Sequence, residues 1–395
     1  MDIQSFSLSI LFVLSESSAL PQWTRIEAVP PFDVPSLRVQ GSMLYVGTDS
    51  AVYRTNDNGQ TWARSTTLPS APIFVDGTFH NMGVLYAGTG GDGIHILQDG
   101  GTEWQSLSTG LTGLGSSFVK DFAVRGGEVY CATGGGGVFR KVGDEWQEFG
   151  GLADMNAGNA EVVRSFGDTM WVGAGGNGYI WRSLPGSSAF EAFQVTPPQG
   201  EAHLITDIIR LGDALLIGGT YGAFRSDNGG ADWTWSSAGL PGSGVIRFVD
   251  AGTALYALRS TAASGLYRSL DNGHTWESQE TMPYCYSMAL YGGRLYAARF
   301  DGLWVRDEAV VGHPEHGAGE TLVLWPNPAE DVVLFERSTD GTSAYRLLDP
   351  QGRCVQEGVI SGQRTIIPLD RFARGLYLLQ VQETGRWSEH RLMLR

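Results

Sequence analysis

The chain has 395 residues, of which 42% are hydrophobic, 17% are charged and 55 are glycine, and its formal net charge is −15. This length allows one large domain plus a small one, and the composition favours many short strands joined by tight turns. The acidic balance argues against a nucleic-acid partner, because nothing here would displace counterions from phosphates. The three cysteines are too few and too scattered for a disulfide framework, and the seven histidines show no metal-ligand spacing. We therefore expect no disulfide framework, no metal site and no cofactor.

An apolar run at residues 6–14 opens the chain and is followed by small residues that end at Ala19. A hydrophobic segment of this length with a small-x-small exit predicts a signal peptide over residues 1–19, too short to span a bilayer. The usual Lys or Arg before the run is missing, and Asp2 stands there instead. The segment therefore predicts export.

A glycine-punctuated strand pair recurs seven times within residues 20–307. Its first strand begins at Tyr45, Tyr86, Tyr130, Trp171, Leu216, Tyr256 and Tyr296. The interval of roughly 40–45 residues matches the length of a β-propeller blade. An apolar run precedes each pair and an aromatic-led segment follows it, which gives four strands per unit. The fold class predicted for residues 20–307 is therefore all-β, a seven-bladed β-propeller.

The aromatic-led outer strands are one short of the seven inner pairs. They start at Trp62, Trp104, Trp146, Phe190, Trp233 and Trp276. The missing strand stands at the front of the chain, where residues 22–26 around Trp23 resemble residues 61–64. We therefore predict that residues 22–27 complete the last blade and close the ring, so that no blade is left incomplete.

Two turns share the spacing S/T-x-D-x-G-x-T-W. Their key positions are Thr55, Asp57, Gly59 and Trp62, and Ser269, Asp271, Gly273 and Trp276. Together with weaker matches at residues 98–104, 143–146 and 226–233, the pattern resembles the Asp-box (BNR) repeats of sialidase-like propellers. The hydroxyl and carboxylate can accept hydrogen bonds from turn amides, the glycine allows positive φ, and the tryptophan packs between blades. We interpret these boxes as structural rather than catalytic.

The pattern changes after the propeller. Residues 308–320 form a polar, glycine-bearing linker, and residues 321–395 read as short alternating strands of a small Ig-like β-sandwich. We expect strands at residues 322–325, 332–336, 344–349, 365–369, 376–380 and 388–394.

Three motifs in residues 321–395 resemble the C-terminal sorting domain of type IX secretion substrates in Bacteroidota. They comprise W-P-N-P at residues 325–328, L-D-P-Q-G-R at 348–353 and R-G-L-Y at 374–377, with Pro326, Asn327, Pro328, Gly352, Arg353, Gly375 and Tyr377 as the matching positions. The resemblance implies transport through the periplasm to the outer-membrane surface or the medium, with the type IX machinery as partner. It also implies cleavage of the tail, followed by release or by attachment to lipopolysaccharide.

For the propeller itself, the first functional class is a glycoside hydrolase, which usually needs two carboxylates. The face where the inner strands begin offers three candidate acids, Asp76, Asp121 and Asp207, and four further candidates for a ligand rim, Lys120, Glu161, Arg247 and Tyr286. The structural alternative is that these residues cap strands or line a wet channel. A sialidase is disfavoured, because the nearest approach to an Arg-Ile-Pro segment is residues 25–27, within the closing strand.

The second class is a non-catalytic module that binds a glycan or a protein. The loops at residues 88–93, 134–137 and 173–178 are short and glycine-rich, which predicts an open, shallow face. Tyr221, Trp235 and Tyr284 offer aromatic surface for stacking on sugars or for contacting a protein. We favour binding, with the two-carboxylate hydrolase as the alternative.

Overall fold

The structure is a computed structural model, and it describes residues 22–31, 33–69, 75–152, 159–175, 178–198, 203–241, 244–252, 254–259, 265–282, 284–307, 322–325, 332–337, 342–349, 353–362, 364–369, 371–383 and 386–394. The predicted signal peptide, the predicted linker and the motif residues Pro326, Asn327, Pro328 and Gly352 lie outside the described residues. The chain divides into two compact units, Met1–Val311 and Gly312–Arg395. Among the described residues, no helix is long and apolar enough to cross a membrane.

In the described part of the first unit, the strands form seven four-stranded antiparallel sheets, which we call blades 1 to 7. Blades 1 to 3 consist of β2–β5 (Ser36–Gln40, Met43–Gly47, Val52–Thr55, Ala63–Arg64), β6–β9 (Val75–Asn81, Val84–Thr89, Ile94–Gln98, Gln105–Ser106) and β10–β13 (Val119–Arg125, Glu128–Thr133, Gly137–Val142, Glu145–Glu148). Blades 4 to 6 consist of β14–β17 (Ala160–Phe166, Thr169–Ala174, Tyr179–Ser183, Glu191–Gln194), β18–β21 (Ile205–Leu211, Ala214–Gly219, Gly222–Ser226, Thr234–Trp235) and β22–β25 (Val245–Asp250, Leu255–Arg259, Gly265–Ser269, Glu277–Thr281). Blade 7 consists of β26–β28 (Cys285–Tyr291, Arg294–Arg299, Gly302–Asp307) and of β1 (Thr24–Arg25).

The ring closes as predicted. Innermost strands of neighbouring blades contact one another around the whole circle, and β26 of blade 7 contacts β2 of blade 1. The N-terminal strand β1 pairs with β28, with Thr24 opposite Val305 and Arg25 opposite Trp304. The sequence-based count of seven blades and the N-terminal closing strand are both confirmed.

The recurring glycine of the inner strand pairs is explained by how closely the blades pack. A Cβ atom on Gly88 would lie 2.7 Å from Cγ1 of Val119 in the next blade, and one on Gly218 would lie 2.7 Å from Cγ1 of Val245. Gly173 of blade 4 stands in the same relation to blade 5. Because real carbon atoms do not approach so closely, a side chain at these positions would push neighbouring blades apart.

The turns of the two full Asp-boxes are held by their own side chains. Thr55 Oγ1 donates to Asp57 Oδ1 at 2.7 Å and accepts from the Gly59 amide at 3.0 Å, while Asp57 Oδ1 accepts from the Thr61 amide at 2.9 Å. The same three bonds in residues 269–276 measure 2.7, 2.7 and 2.8 Å. Gly59 has a φ of 78°, which a residue with a side chain rarely adopts.

Each of three box turns is also bound by an arginine of the preceding blade. In each case the guanidinium donates to the backbone carbonyl of the fourth residue of the box. The pairs are Arg294 with Asn58, Arg182 with Gly229 and Arg225 with Asn272. The box tryptophans pack across the same boundary: Trp62 of blade 1 meets Tyr296 of blade 7 edge to face at 6.5 Å, and Trp276 Nε1 donates to the Ser236 carbonyl of blade 5 at 2.9 Å. These turns therefore join neighbouring blades at their outer side.

The described part of the second unit contains two antiparallel sheets. Strands β29 (Leu322–Trp325), β30 (Val332–Arg337) and β33 (Arg364–Pro368) form one, in the order β29-β30-β33, and β31 (Thr342–Leu348), β32 (Cys354–Ser361), β34 (Gly375–Glu383) and β35 (Arg386–Leu394) form the other, in the order β32-β31-β34-β35. Phe335 of the first sheet and Leu347 and Leu379 of the second share one buried core. The six strands predicted here are present, whereas β32 was not predicted, because its sequence shows no clean alternation of buried and exposed residues.

Candidate ligand site in the central channel

The innermost strands of six blades carry a β-bulge close to their start. In blades 2 to 7 the pairing with the second strand shifts register there, and the extra residues are Asp76, Lys120, Glu161, Thr206, Ile246 and Tyr286. A bulge turns the strand locally and re-aims side chains, and bulges are common beside functional sites. The bulge thus places one predicted acid, Asp76, and three predicted rim residues, Lys120, Glu161 and Tyr286, at one level of the propeller, around the mouth of the central channel.

The residue after the bulge links neighbouring blades. The carboxylate of Asp121 in blade 3 accepts the Val163 amide of blade 4 at 3.1 Å, and that of Asp207 in blade 5 accepts the Phe248 amide of blade 6 at 2.8 Å. The hydroxyl of Ser287 in blade 7 accepts an amide of blade 1 at 3.3 Å. Two of the three candidate catalytic acids therefore satisfy backbone donors at blade boundaries.

Five charged side chains form a continuous chain across the channel, in the order Arg38, Asp121, Arg164, Asp207 and Arg247. Arg38 Nη1 lies 2.9 Å from Asp121, and Arg164 pairs with Asp121 and also places Nη2 3.1 Å from Asp207. Arg247 Nη1 lies 3.4 Å from Asp207. The two carboxylates at the centre thus bind arginines from three other blades as well as amides.

Sequence reasoning identified Asp121, Asp207 and Arg247 but missed Arg38 and Arg164. Each of these two arginines is the single arginine of its innermost strand, β2 or β14, and belongs to none of the repeated motifs. An alignment of the innermost strands would have placed both at one level, two residues beyond the level of Asp121.

The titration behaviour of the chain follows from burial and from the neighbouring charges. Burial by itself would raise the pKa of Asp121, but the charges of Arg164 and Arg38 outweigh it and hold that pKa below its usual value. The pKa of Arg38 falls to about 10, first because the group is buried and then because Arg164 and Arg247 repel its charge. Asp121 is therefore ionised at neutral pH, the opposite of what a general acid needs.

Of the remaining candidates, Asp76 and Lys120 line a central cavity of about 340 Å³, whereas Glu161 and Tyr286 do not. Lys120 Nζ of blade 3 lies 3.1 Å from Asp76 of blade 2, and both residues line the cavity. The Tyr286 hydroxyl lies 3.4 Å from Asp33. Glu161 shows no hydrogen bond or ion pair within the part of the chain that the structure describes. Asp76 and Glu161 are thus the more available acids at this level.

Exposed aromatic rings lie at the same end of the propeller. Tyr284, which precedes β26, is 53% exposed, and its ring meets the exposed Phe300 edge to face at 5.3 Å. Phe118 precedes β10 and is 45% exposed. The other two aromatics predicted for this face contact neighbouring rings: Tyr221 stacks on His203, and Trp235 meets Phe224 edge to face.

No group of three or more His, Cys, Asp or Glu within the described ranges is arranged to hold a metal ion. The side chains described above make the site a polar channel mouth with aromatic rings beside it.

The fold and the tail together define an exported β-propeller. Residues 323–395 match the family described as "Secretion system C-terminal sorting domain". This domain directs export by type IX secretion to the cell surface or the extracellular space, and the chain accordingly interacts with that secretion machinery.

Comparison with known proteins relates the first unit to other propellers. A xyloglucanase of Hypocrea jecorina (strain QM6a) is 28% identical over 114 residues, a match that covers 27% of this chain and only 14% of that protein. Among solved structures, YCF48 bound to D1 peptide is 17% identical with a TM-score of 0.58 and covers 75% of this chain and 98% of its own. The GH74 xyloglucanase of Xanthomonas campestris is 18% identical with a TM-score of 0.51 and covers 71% of this chain and 44% of its own. These likenesses support the propeller fold.

Proposed function

We propose that the propeller is a non-catalytic binding module that presents its channel mouth and aromatic rings to a glycan or a protein outside the cell. One observation carries this proposal: Asp121 and Asp207 are almost completely buried, and both bind arginines and backbone amides. These carboxylates are parts of the ring's framework.

Glycoside hydrolysis places demands that these two residues do not meet. A general acid needs a raised pKa and a position beside the leaving oxygen, and a nucleophile or general base needs a free lone pair that can reach the substrate. The side chains of Asp121 and Asp207 are 8% and 3% exposed, and the pKa of Asp121 is lowered. A substrate would have to displace Arg164 before it could reach either carboxylate.

A second candidate function is a two-carboxylate glycoside hydrolase, which the partial match to a xyloglucanase favours. Its acids would have to be Asp76 and Glu161, the more accessible carboxylates of the rim. They stand on blades 2 and 4, with the Lys120 side chain of blade 3 at the same level. The folds of the structural neighbours are compatible with both functions, because one was solved with a bound peptide and another is a xyloglucanase.

Two assays on the full chain separate these functions. The chain is screened on a glycan array and against a peptide library, and the release of reducing ends is measured on xyloglucan and other polysaccharides. We expect retention of a ligand without release of sugar. Release that disappears in both Asp76→Asn and Glu161→Gln, while Asp213→Asn at a fully exposed turn stays active, would establish the hydrolase instead.

A further inference from the structure

The charged chain across the channel has one positive charge too many. Its members are three guanidinium groups, Arg38, Arg164 and Arg247, and two carboxylates, Asp121 and Asp207, so three cations and two anions leave a net charge of +1. Within a partly desolvated channel, an uncompensated charge raises the free energy of the folded protein. An anion that enters the channel would neutralise this charge and lower that free energy.

Arg247 is the group best placed to receive that anion. It holds Asp207 through Nη1 alone, at the long distance of 3.4 Å, and Nε and Nη2 have no partner among the described residues. Its side chain is 25% exposed and lines the cavity. Arg38 is more fully engaged, because it also donates to the Phe122 carbonyl at 3.0 Å and lies 5.2 Å over the Phe79 ring.

The other charged residues of the cavity do not cancel this excess at Arg247. Lys120 and Asp76 neutralise each other at 3.1 Å. Asp250 lies at the C-terminal end of β22, where it is exposed and accepts the Gly252 amide at 2.8 Å. Among the described residues, the positive charge on Arg247 therefore faces the cavity with free donors.

Polar groups suited to hydroxyls line the same cavity. Lys120 and Asp76 offer a donor and an acceptor side by side, and Thr78, which also lines the cavity, has a buried Oγ1 without a hydrogen-bond partner in the described part of the chain. The volume of about 340 Å³ is at the small end of the range for ligand pockets. Alternating donors and acceptors suit a polyhydroxylated ring better than an apolar ligand.

We propose that the channel binds an acidic sugar, with Arg247 donating to the carboxylate of a hexuronic acid while Asp76, Lys120 and Thr78 bind its hydroxyl groups. This inference rests on the proposed function as a binding module and names the ligand class. A guanidinium is well matched to a carboxylate, because its two parallel N–H donors form a bidentate pair.

Isothermal titration calorimetry of the full chain tests this with glucuronate and glucose, which differ mainly in the carboxylate. We expect glucuronate to bind at least tenfold more tightly than glucose, and its affinity to fall as salt is raised. Arg247→Gln is expected to lower the glucuronate affinity at least tenfold, whereas Arg247→Lys retains part of it. The matched control is Arg210→Gln, the same substitution at an arginine that pairs with Asp213 and does not line the cavity. This control is expected to leave the affinity for glucuronate unchanged.

Folding of the variants is checked by thermal unfolding. Asp207 keeps Arg164 and the Phe248 amide after Arg247→Gln, so the variant is expected to fold. Equal affinity for glucose and glucuronate, or unchanged glucuronate affinity in folded Arg247→Gln, would overturn the inference. If neutral glycans or peptides bind while glucuronate does not, the inference fails and the binding function stands. If the chain instead cleaves polysaccharides through Asp76 and Glu161, the binding function itself fails.

Discussion

The carboxylate of Asp207 in blade 5 accepts a hydrogen bond at 2.8 Å from the backbone amide of Phe248 in blade 6. The same carboxylate holds Arg164 of blade 4 at 3.1 Å, so one buried side chain connects three consecutive blades. Asp207, which the sequence suggests as a candidate catalytic acid, thus lies where it stabilises the ring.

Replacing this carboxylate tests its structural role. Asp207→Ala leaves Arg164, Arg247 and the Phe248 amide without their acceptor, and breaking a buried pair in this way costs about 3–5 kcal/mol. Asp207→Asn keeps one oxygen for the amide and is expected to cost less. The free energy of unfolding in urea measures both. The control Asp213→Ala, at a fully exposed turn, should change it by less than about 0.5 kcal/mol. Equal effects at Asp207 and Asp213 would refute a structural role.

The Asp-box makes a prediction for acid conditions. Hydrogen bonds from Thr61 lower the pKa of Asp57 to about 2, against an ordinary value of 3.8. Because the unfolded chain then binds more protons, this stabilisation is present above pH 3.8 and is lost as the pH falls through about 2. Asp57→Asn is expected to be less stable than wild type at pH 7, and the gap should narrow toward pH 2. A gap of the same size at both pH values, measured by chemical unfolding, would contradict the interpretation of the box as structural.

Ring closure depends on Trp23 beyond the two paired residues of β1. Its Nε1 donates to Glu280 of blade 6 at 3.0 Å, and Arg306, which pairs with the same Glu280, lies 4.9 Å over its ring. We expect Trp23→Ala to lower the free energy of unfolding by about 2 kcal/mol, since a half-buried aromatic side chain and its hydrogen bond are lost. Met82→Ala, at a site that is 85% exposed, is the control and should have little effect. Indistinguishable unfolding of the two variants would show that the closing segment adds nothing to stability.

Because His203 is buried, we expect the folded protein to lose stability in mild acid. Burial lowers its pKa to about 4 from an ordinary value of 6.5, and its Nδ1 accepts the Tyr221 amide at 3.4 Å. Since the unfolded chain protonates first, the stability contributed by neutral His203 is complete above pH 6.5 and declines as the pH falls toward 4. The melting temperature of wild type should therefore fall more steeply than that of His203→Gln between pH 7 and pH 4.5. Parallel curves would mean that this histidine does not titrate in the window.

Much of the propeller was predictable because its constraints repeat along the chain. Four of the seven blades carry a glycine at the position where the next blade packs, among them Gly88 and Gly218, and the strand pair around this position recurs in every blade, so the blade count shows in the sequence. The closing strand was predictable because Trp23 restores the count of aromatic outer strands. The sorting tail was recognisable because its motifs keep their order to the end of the chain.

The arrangement of the channel was less predictable, because it depends on contacts between distant blades. Arg38 of blade 1 reaches Asp121 of blade 3, past Gly77 of blade 2, which has no side chain at that level. No local pattern marks such a pair. The sequence indicated that the acids lie near the starts of the innermost strands. The ion pairs that Arg38 and Arg164 form with Asp121 and Asp207 could be recognised only in the three-dimensional structure.

Incubating the full chain with the polysaccharide that it retains on an array, and following the length of that polysaccharide, tests the central claim most directly. The account predicts that the polysaccharide is bound and that its length does not change over many hours. A shortening that requires Asp76 and Glu161 would contradict it and show that the propeller is an enzyme.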